Sequence, residues 1–354
     1  MKKYLITGGC GFIGSNFIHF LLENKLSSQI INLDNLTYAG SLDSLLSIDN
    51  FDNYHFIKGD ICDKEIVKSI LYKYHPDVIV HFAAESHVDR SIDGPEKFVK
   101  TNIDGTLNLL HQTNQWLNTS GRKAKNNFRF IHISTDEVYG SLGETGKFSE
   151  STAYDPSSPY SASKASSDHL AKSWFRTFDF PVIITNCSNN YGPFQFPEKL
   201  IPLMIINSLK GKDLPIYGNG MNIRDWLYVH DHCRAIQIVI EKGQLGETYN
   251  IGGDNEITNI QIVKHICSIL DKETPLRSGK SFSERIVYVD DRPGHDYRYA
   301  IDSSKIKYNL GWEPIESFKT GIEKTISWYI NNETWWGKIH ESIYKQERLG
   351  LKQK

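Results

Sequence analysis

Short apolar, β-branched runs alternate with longer stretches of mixed polarity through the first half of the chain. The runs at Tyr4 to Thr7, Gln29 to Asp34, Tyr54 to Lys58, Val78 to Phe82, Phe130 to Ser134 and Val182 to Thr185 predict strands. The near-continuous apolar character of LIT, DVIVHF and RFIHIS suits strands covered on both faces. Between them, Phe12 to Glu23, Lys64 to Tyr74, Pro95 to Trp116 and Tyr160 to Phe178 have the length and spacing of crossover helices. This alternation predicts an α/β fold with a Rossmann-type, doubly wound parallel sheet. After about Tyr191 the pattern changes, and Pro193, Pro197, Pro202 and Pro215 punctuate shorter segments rich in aromatic and basic residues. We therefore expect a dinucleotide-binding domain over 1–190 and, over 191–354, a smaller, mixed α/β carboxy-terminal substrate domain. A segment at about 223–250 is expected to return to the first domain.

The length of 354 residues accommodates two such domains. With 40 Lys+Arg against 42 Asp+Glu the formal charge is -2, so no broad basic field exists to wrap nucleic acid or lie on an anionic membrane. Small molecules or other protein chains are the expected partners. No apolar run approaches the ~18 residues that suggest a membrane span. Cys10, Cys62, Cys187, Cys233 and Cys267 are scattered without a CxxC pair, which predicts reduced thiols in a cytoplasmic protein and no metal site.

Candidate chemistry begins where the first strand ends. Gly8, Gly11 and Gly14 give a G-x-x-G-x-x-G loop opening the first helix, where missing Cβ atoms permit a tight turn and let a pyrophosphate approach helix N–H groups. Asp34, ending the second strand, can accept hydrogen bonds from both adenosine ribose hydroxyls and repels a 2′-phosphate, which predicts NAD over NADP. Asp60 and Ile61 follow the third strand. Ala83, Ala84 and Glu85 follow the fourth, where small residues allow close backbone approach to a cofactor.

Tyr160 and Lys164 lie four residues apart and so share a helix face. An ammonium there is expected to lower the phenol toward a value useful for a general base acting on a carbinol. The fifth strand ends in Ser134-Thr135-Asp136-Glu137, at the sheet edge where ligands of open α/β folds bind. The Thr135 hydroxyl can bond the same substrate oxygen. Two successive carboxyl groups beside it could supply one acid and one base, which plain alcohol oxidation does not need.

Together TGGxGFIG, LDNLTYAG, GDI, HFAAESHVDRS, STDEVYG, YSASK, NCSNNYGPFQFPEKLIP, RDWLYVHDH and DRPGHD resemble the dTDP-glucose 4,6-dehydratases, a branch of the extended short-chain dehydrogenase/reductase family. The resemblance implies an NAD-dependent hydro-lyase that converts dTDP-glucose to dTDP-4-keto-6-deoxyglucose and water. In it Tyr160 deprotonates the C4 hydroxyl, Glu137 removes the C5 proton and Asp136 protonates the departing C6 hydroxyl. It implies further that Phe12, Ile13, Asp34, Asn35, Leu36, Thr37, Asp60, Ile61, Ala83, Ala84, Glu85, Thr101, Tyr160, Lys164 and Asn190 line the NAD site. Ser86, Thr135, Asn189, Lys199, Leu200, Pro215, Ile216, Tyr217, Arg224, Asn259, Arg292 and His295 would touch the nucleotide sugar, and Arg224 and Arg292 suit its diphosphate.

Relatives of this kind are typically homodimers through helices around Asn102 to Gln115 and Ser163 to Phe178, so a homodimer is implied. Two positions depart from the family pattern: Cys10 stands where Ala is usual and Tyr297 where Arg is usual. Three other readings compete. A 4,6-dehydratase of another NDP-sugar differs in base choice, which depends on a few side chains in the less regular second region; a nucleotide-sugar 4-epimerase needs no carboxyl pair, and an NAD-sensing regulator needs neither the carboxyl pair nor Tyr160.

Overall fold

The computed structural model describes residues 1–48, 51–120, 127–277 and 279–342. The strands are β1 (Lys2–Thr7), β2 (Ser27–Asp34), β3 (Tyr54–Lys58), β4 (Val78–His81), β5 (Arg129–Thr135), β6 (Val182–Cys187), β7 (Asn189–Tyr191), β8 (Leu214–Tyr217), β9 (Ile223–Tyr228), β10 (Thr248–Ile251), β11 (Glu256–Thr258) and β12 (Ile286–Val289). The α-helices are α1 (Phe12–Glu23), α2 (Lys64–Tyr74), α3 (Val88–Asp93), α4 (Pro95–Phe98), α5 (Thr106–Thr119), α6 (Pro159–Phe178), α7 (Leu200–Leu209), α8 (Val229–Lys242), α9 (Asn259–Glu273), α10 (Ser304–Leu310), α11 (Phe318–Asn331) and α12 (Glu333–Ser342).

A seven-stranded sheet in the order β10-β6-β5-β4-β1-β2-β3 forms the centre, and all its neighbours run parallel. The order reverses beside β1, the switch point of a Rossmann-type fold, so the carboxyl ends of β1, β4 and β5 open onto one crevice. One face of the sheet buries Phe17 and Leu21 of α1 and Cys233, Ile236 and Ile240 of α8. The other buries Val67 and Leu71 of α2, Leu109, Leu110 and Trp116 of α5, and Ala171 of α6. Burial on both faces explains why the strands read as unbroken apolar runs.

Six of the seven strands carry patterns visible in the sequence. The seventh, β10, is four residues long and lies within the stretch expected to return to the first domain; it pairs with β6. The helix expected over Pro95 to Trp116 is interrupted. Between α4 and α5, Val99–Gly105 winds as a π-helical turn. At Gly105 an added Cβ would lie 2.6 Å from the end of the Ile61 side chain, which would have to shift to admit it. The wide turn aims Asn102 inward, where its side chain bonds both the N–H and carbonyl of Glu85 at 2.9 Å and the Ser163 hydroxyl at 2.8 Å. Thus α6 and the loop after β4 are tied together next to the crevice.

A second core joins α7, α9, α11 and α12 with Tyr191, Trp226 and Tyr228. Trp335 and Trp336, to which no sequence pattern gave a role, belong to it. Trp336 donates to the Tyr329 carbonyl at 2.8 Å, and Trp335 reaches the Ser44 hydroxyl at 3.2 Å, in the segment that follows β2. The carboxy-terminal helix thereby braces the chain beyond Asp34. The tail beyond Ser342 lies outside the described residues.

Candidate active site

The loop after β1 is shaped by what it excludes. Gly8 has φ +73, and a Cβ there would lie 2.6 Å from the Ala83 nitrogen; one at Gly14 would lie 2.3 Å from the Gly8 carbonyl oxygen. Gly11 caps α1 without any side-chain bond, so the first helical N–H groups face the crevice. Asp34 is 8% exposed and holds the loop through two backbone bonds, from the Cys10 N–H at 2.9 Å and the Leu36 N–H at 2.7 Å. Burial pushes its carboxyl up, and those two bonds oppose the push. Asn35 donates to Asp60 at 3.1 Å, setting a second carboxyl at the same end.

A cavity of 290 Å³ runs from this loop to the end of β5. Among the residues expected at the cofactor, Gly8, Gly11, Phe12, Ile13, Gly14, Asp34, Asn35, Thr37, Asp60, Ile61, Ala83, Ala84, Glu85, Thr101, Tyr160, Lys164 and Asn190 line it. Leu36 does not; its φ of +54 serves the turn that brings its N–H to Asp34. The glycine cradle and the anchored Asp34 fit a dinucleotide. Glu198, Phe196, Gln195 and Cys187 also line the cavity, and sequence reasoning passed over them.

The catalytic candidates meet at the other end. Thr135 closes β5, accepts from the Glu137 N–H at 3.3 Å and donates to Asp136 at 3.4 Å, so the chain turns immediately and turns both carboxyl groups into the crevice. Pro159 and a capping box between Ser158 and Ser161 start α6 one residue before Tyr160. Tyr160 and Lys164 then line the same wall, and the Lys164 ammonium donates to the Ile133 carbonyl at 2.8 Å. Thr135, Asp136, Tyr160 and Lys164 are all buried.

Desolvation separates these groups. Burial pushes Asp136 well above the usual carboxylate range, and the neighbouring Glu137 pushes it further. Glu137 is raised by burial too, but the cations of Arg292, Lys199 and Arg224 oppose the rise. Burial and then Glu137 hold the Tyr160 phenol well above its ordinary value, while a hydrogen bond with Thr135 opposes. This differs from the sequence expectation that Lys164 lowers Tyr160. The ammonium is engaged by a backbone carbonyl, and burial lowers the ammonium itself.

Ser86, Asn189 and Lys199 line the cavity with Thr135, and Lys199 donates to the Ser86 carbonyl at 3.1 Å. The remaining substrate candidates stand outside its wall. Arg224 donates to the carbonyls of Ile223 at 2.8 Å and Asp296 at 3.0 Å and lies over the Tyr299 ring at 4.3 Å. Arg292 and Tyr217 converge on Asp89, at 2.9 and 3.2 Å, an acidic residue within the HVDRS motif that sequence reasoning did not single out. His295 pairs with Asp291 at 2.6 Å, yet burial and the two arginines lower it to about 4. Pro215 and Ile216 lie on β8, with Ile216 in the second core. Leu200 opens α7, and Asn259 opens α9.

A family model described as GDP-mannose 4,6 dehydratase matches residues 5–325. The dTDP-glucose 4,6-dehydratase of Escherichia coli is 55% identical over 360 residues, covering 99% of each chain. The chain belongs to the dTDP-glucose 4,6-dehydratase family. A probable dTDP-glucose 4,6-dehydratase of Sinorhizobium fredii is 51% identical over 352 residues, again covering 99% of each. Among solved structures, the family member from Bacillus anthracis in complex with NAD superposes with a TM-score of 0.85 at 47% identity, covering 96% of this chain and 100% of that one. A UDP-glucose 4-epimerase from Thermotoga maritima shares the fold at a TM-score of 0.82 but is only 29% identical, covering 94% of this chain and 99% of that one.

A carboxyl whose folded value is raised binds more protons folded than unfolded, so its contribution to stability is present below the unfolded value and lost as pH rises through the folded one. Asp136→Asn is therefore expected to stabilise the fold by about 1–3 kcal/mol in urea unfolding near pH 8, and by much less near pH 4. Equal gains at the two pH values would contradict the protonated Asp136.

Proposed function

We propose that the protein is a lyase that converts dTDP-glucose to dTDP-4-keto-6-deoxyglucose and water, using NAD as a cofactor regenerated within each turnover. The observation that carries this reading is buried Asp136 and half-buried Glu137 set beside Tyr160 at the carboxyl edge of the sheet. Bound NAD⁺ supplies the acceptor for the C4 hydrogen and, once reduced, the donor that restores it at C6. Every other part belongs to the chain. Tyr160 takes the proton from the C4 hydroxyl as its phenolate, a form that the positive charge of the bound cofactor would favour against burial and Glu137, with Thr135 bonded to the same oxygen. The 4-ketone acidifies C5–H, which Glu137 removes; protonated Asp136 delivers its proton to the C6 hydroxyl, which leaves as water. The proton taken from O4 balances the one Asp136 gives up, and Glu137 returns its proton to C5.

The assignment of residues to the nucleotide sugar is part of the same proposal. Lys199, Arg224 and Arg292 all act on Glu137 electrostatically, so they bring positive charge to the side of the site where a diphosphate would lie. Residues 1–190 would serve the cofactor, 191–354 mainly the sugar nucleotide, with 223–250 returning to the first part.

We also propose a homodimer. Val99 and Leu107, at the π-helical turn and on α5, and Phe178, ending α6, are 49, 38 and 43% exposed, apolar side chains that a second copy docked along these helices would cover. The free thiols of Cys10, Cys62, Cys187, Cys233 and Cys267 suit the cytoplasm.

The decisive assay incubates the protein with dTDP-, UDP-, CDP- and GDP-sugars without added reductant and follows loss of one water by mass spectrometry. dTDP-glucose should lose water, and Glu137→Gln should dehydrate it roughly 100-fold more slowly or worse while still oxidising C4, seen as reduced nicotinamide absorbance. Turnover of another nucleotide sugar in place of dTDP-glucose overturns the substrate, and normal dehydration by Glu137→Gln overturns its role. Sedimentation equilibrium should give twice the 40.5 kDa chain mass, reduced by Leu107→Glu. A monomer for the parent chain contradicts the dimer.

A further inference from the structure

Glu198 is a carboxyl group whose side chain is 2% exposed, on the wall of the cofactor cavity and outside the catalytic cluster. A charge so placed needs a partner. Arg90 supplies it: its Nε donates to Glu198 Oε2 at 3.0 Å, and the same guanidinium lies over the ring of Tyr38 at 3.9 Å from its centre. Tyr38 in turn meets Phe196 edge-on, with ring centres 5.5 Å apart.

These contacts join three stretches that are distant in sequence. Tyr38 lies between Thr37 and Ala39, both on the cavity wall, in the loop that follows Asp34. Arg90 belongs to α3, beyond the Glu85 and Ser86 wall; Glu198 and Phe196 belong to the segment entering α7. No hydrogen bond of the β-sheet joins the three; the ion pair and the stacked guanidinium tie them together, and the Lys199 ammonium on the Ser86 carbonyl adds a second tie between two of them. Arg suits this place because its plane can stack on a ring while its edge bonds a carboxylate.

We infer that Tyr38, Arg90 and Glu198 form a latch between three segments of the cofactor cavity's wall that retains the dinucleotide through the reaction. The inference rests on the proposed dehydratase reading, whose chemistry makes retention necessary. Electrons leave the sugar at C4 and must come back to the same sugar at C6, so a cofactor that escapes midway strands a 4-keto intermediate. These three are positioning residues, since none is assigned contact with the reacting atoms.

The test measures NAD directly. The parent protein and the Arg90→Met and Tyr38→Leu variants are loaded with NAD⁺ and passed through a desalting column, and retained nucleotide is followed over time by extraction and chromatography. The parent should keep its NAD, and both variants should release it at least ten-fold faster, with dehydration lost on dilution and recovered when NAD⁺ is added. Tyr38→Leu leaves the Arg90–Glu198 pair intact, so it reads the latch even if Arg90→Met fails to fold. Release from folded Tyr38→Leu as slow as from the parent overturns the latch, and so does a parent that releases NAD freely. Water loss from dTDP-glucose by the parent is scored separately, so failure of the dehydratase reading is distinguishable from failure of the latch.

Discussion

Removing two adjacent carboxyl groups, a phenol and an ammonium from water at one end of β5 is the constraint on which the site depends. In water Asp136 and Glu137 would titrate together, and Tyr160 would lie far from either. Side by side and drawn out of water, they cannot both carry charge at low cost, so the one with the fewest compensating cations is held higher. Arg224 acts on both, but Glu137 also faces Arg292 and Lys199. Asymmetric placement of positive charge, more than the identity of the two acids, thus separates the two carboxyl groups.

That arrangement explains why the second region is built as it is. Lys199 enters from the start of α7, Arg224 from β9 and Arg292 from the segment after β12, so the second region acts on the ionisation of a residue at the end of β5. Arg224 is buried and held by two carbonyls and an aromatic ring, and Arg292 is held by Asp89, which fixes their direction. The two departures from the family pattern are accommodated separately. Cys10 is buried, its N–H bonds Asp34 and its thiol accepts from Asn32. Tyr297 is 45% exposed, and the adjacent Arg298 is turned away to Glu256 at 2.7 Å.

Much of this was legible in the sequence because it is local. The glycine spacing, Asp34 at a strand end, Ser134-Thr135-Asp136-Glu137 and the four-residue step from Tyr160 to Lys164 each lie within one turn or strand, and α1, α2 and β3 have the bounds that periodicity indicates. What escaped is set by contacts far apart in the chain. The π-helical turn brings Asn102 to Glu85 and Ser163; β10 pairs with the edge that β6 offers; Trp335 finds Ser44; Asp89 and Glu198 acquire roles only when Arg292 and Arg90 arrive from elsewhere. The raised Tyr160 has the same origin: a helical spacing puts Lys164 on the correct face, but the Ile133 carbonyl that engages it belongs to β5, and burial and Glu137 push the phenol up.

The division of labour between the two carboxyl groups can be observed without substrate. Infrared difference spectra at neutral pH between the parent protein and each single variant isolate the carbonyl stretch of a protonated carboxyl. The parent should show a band that Asp136→Asn removes and Glu137→Gln leaves in place. A spectrum with no such band, or one whose band disappears only in Glu137→Gln, would contradict a protonated Asp136 beside an ionised Glu137.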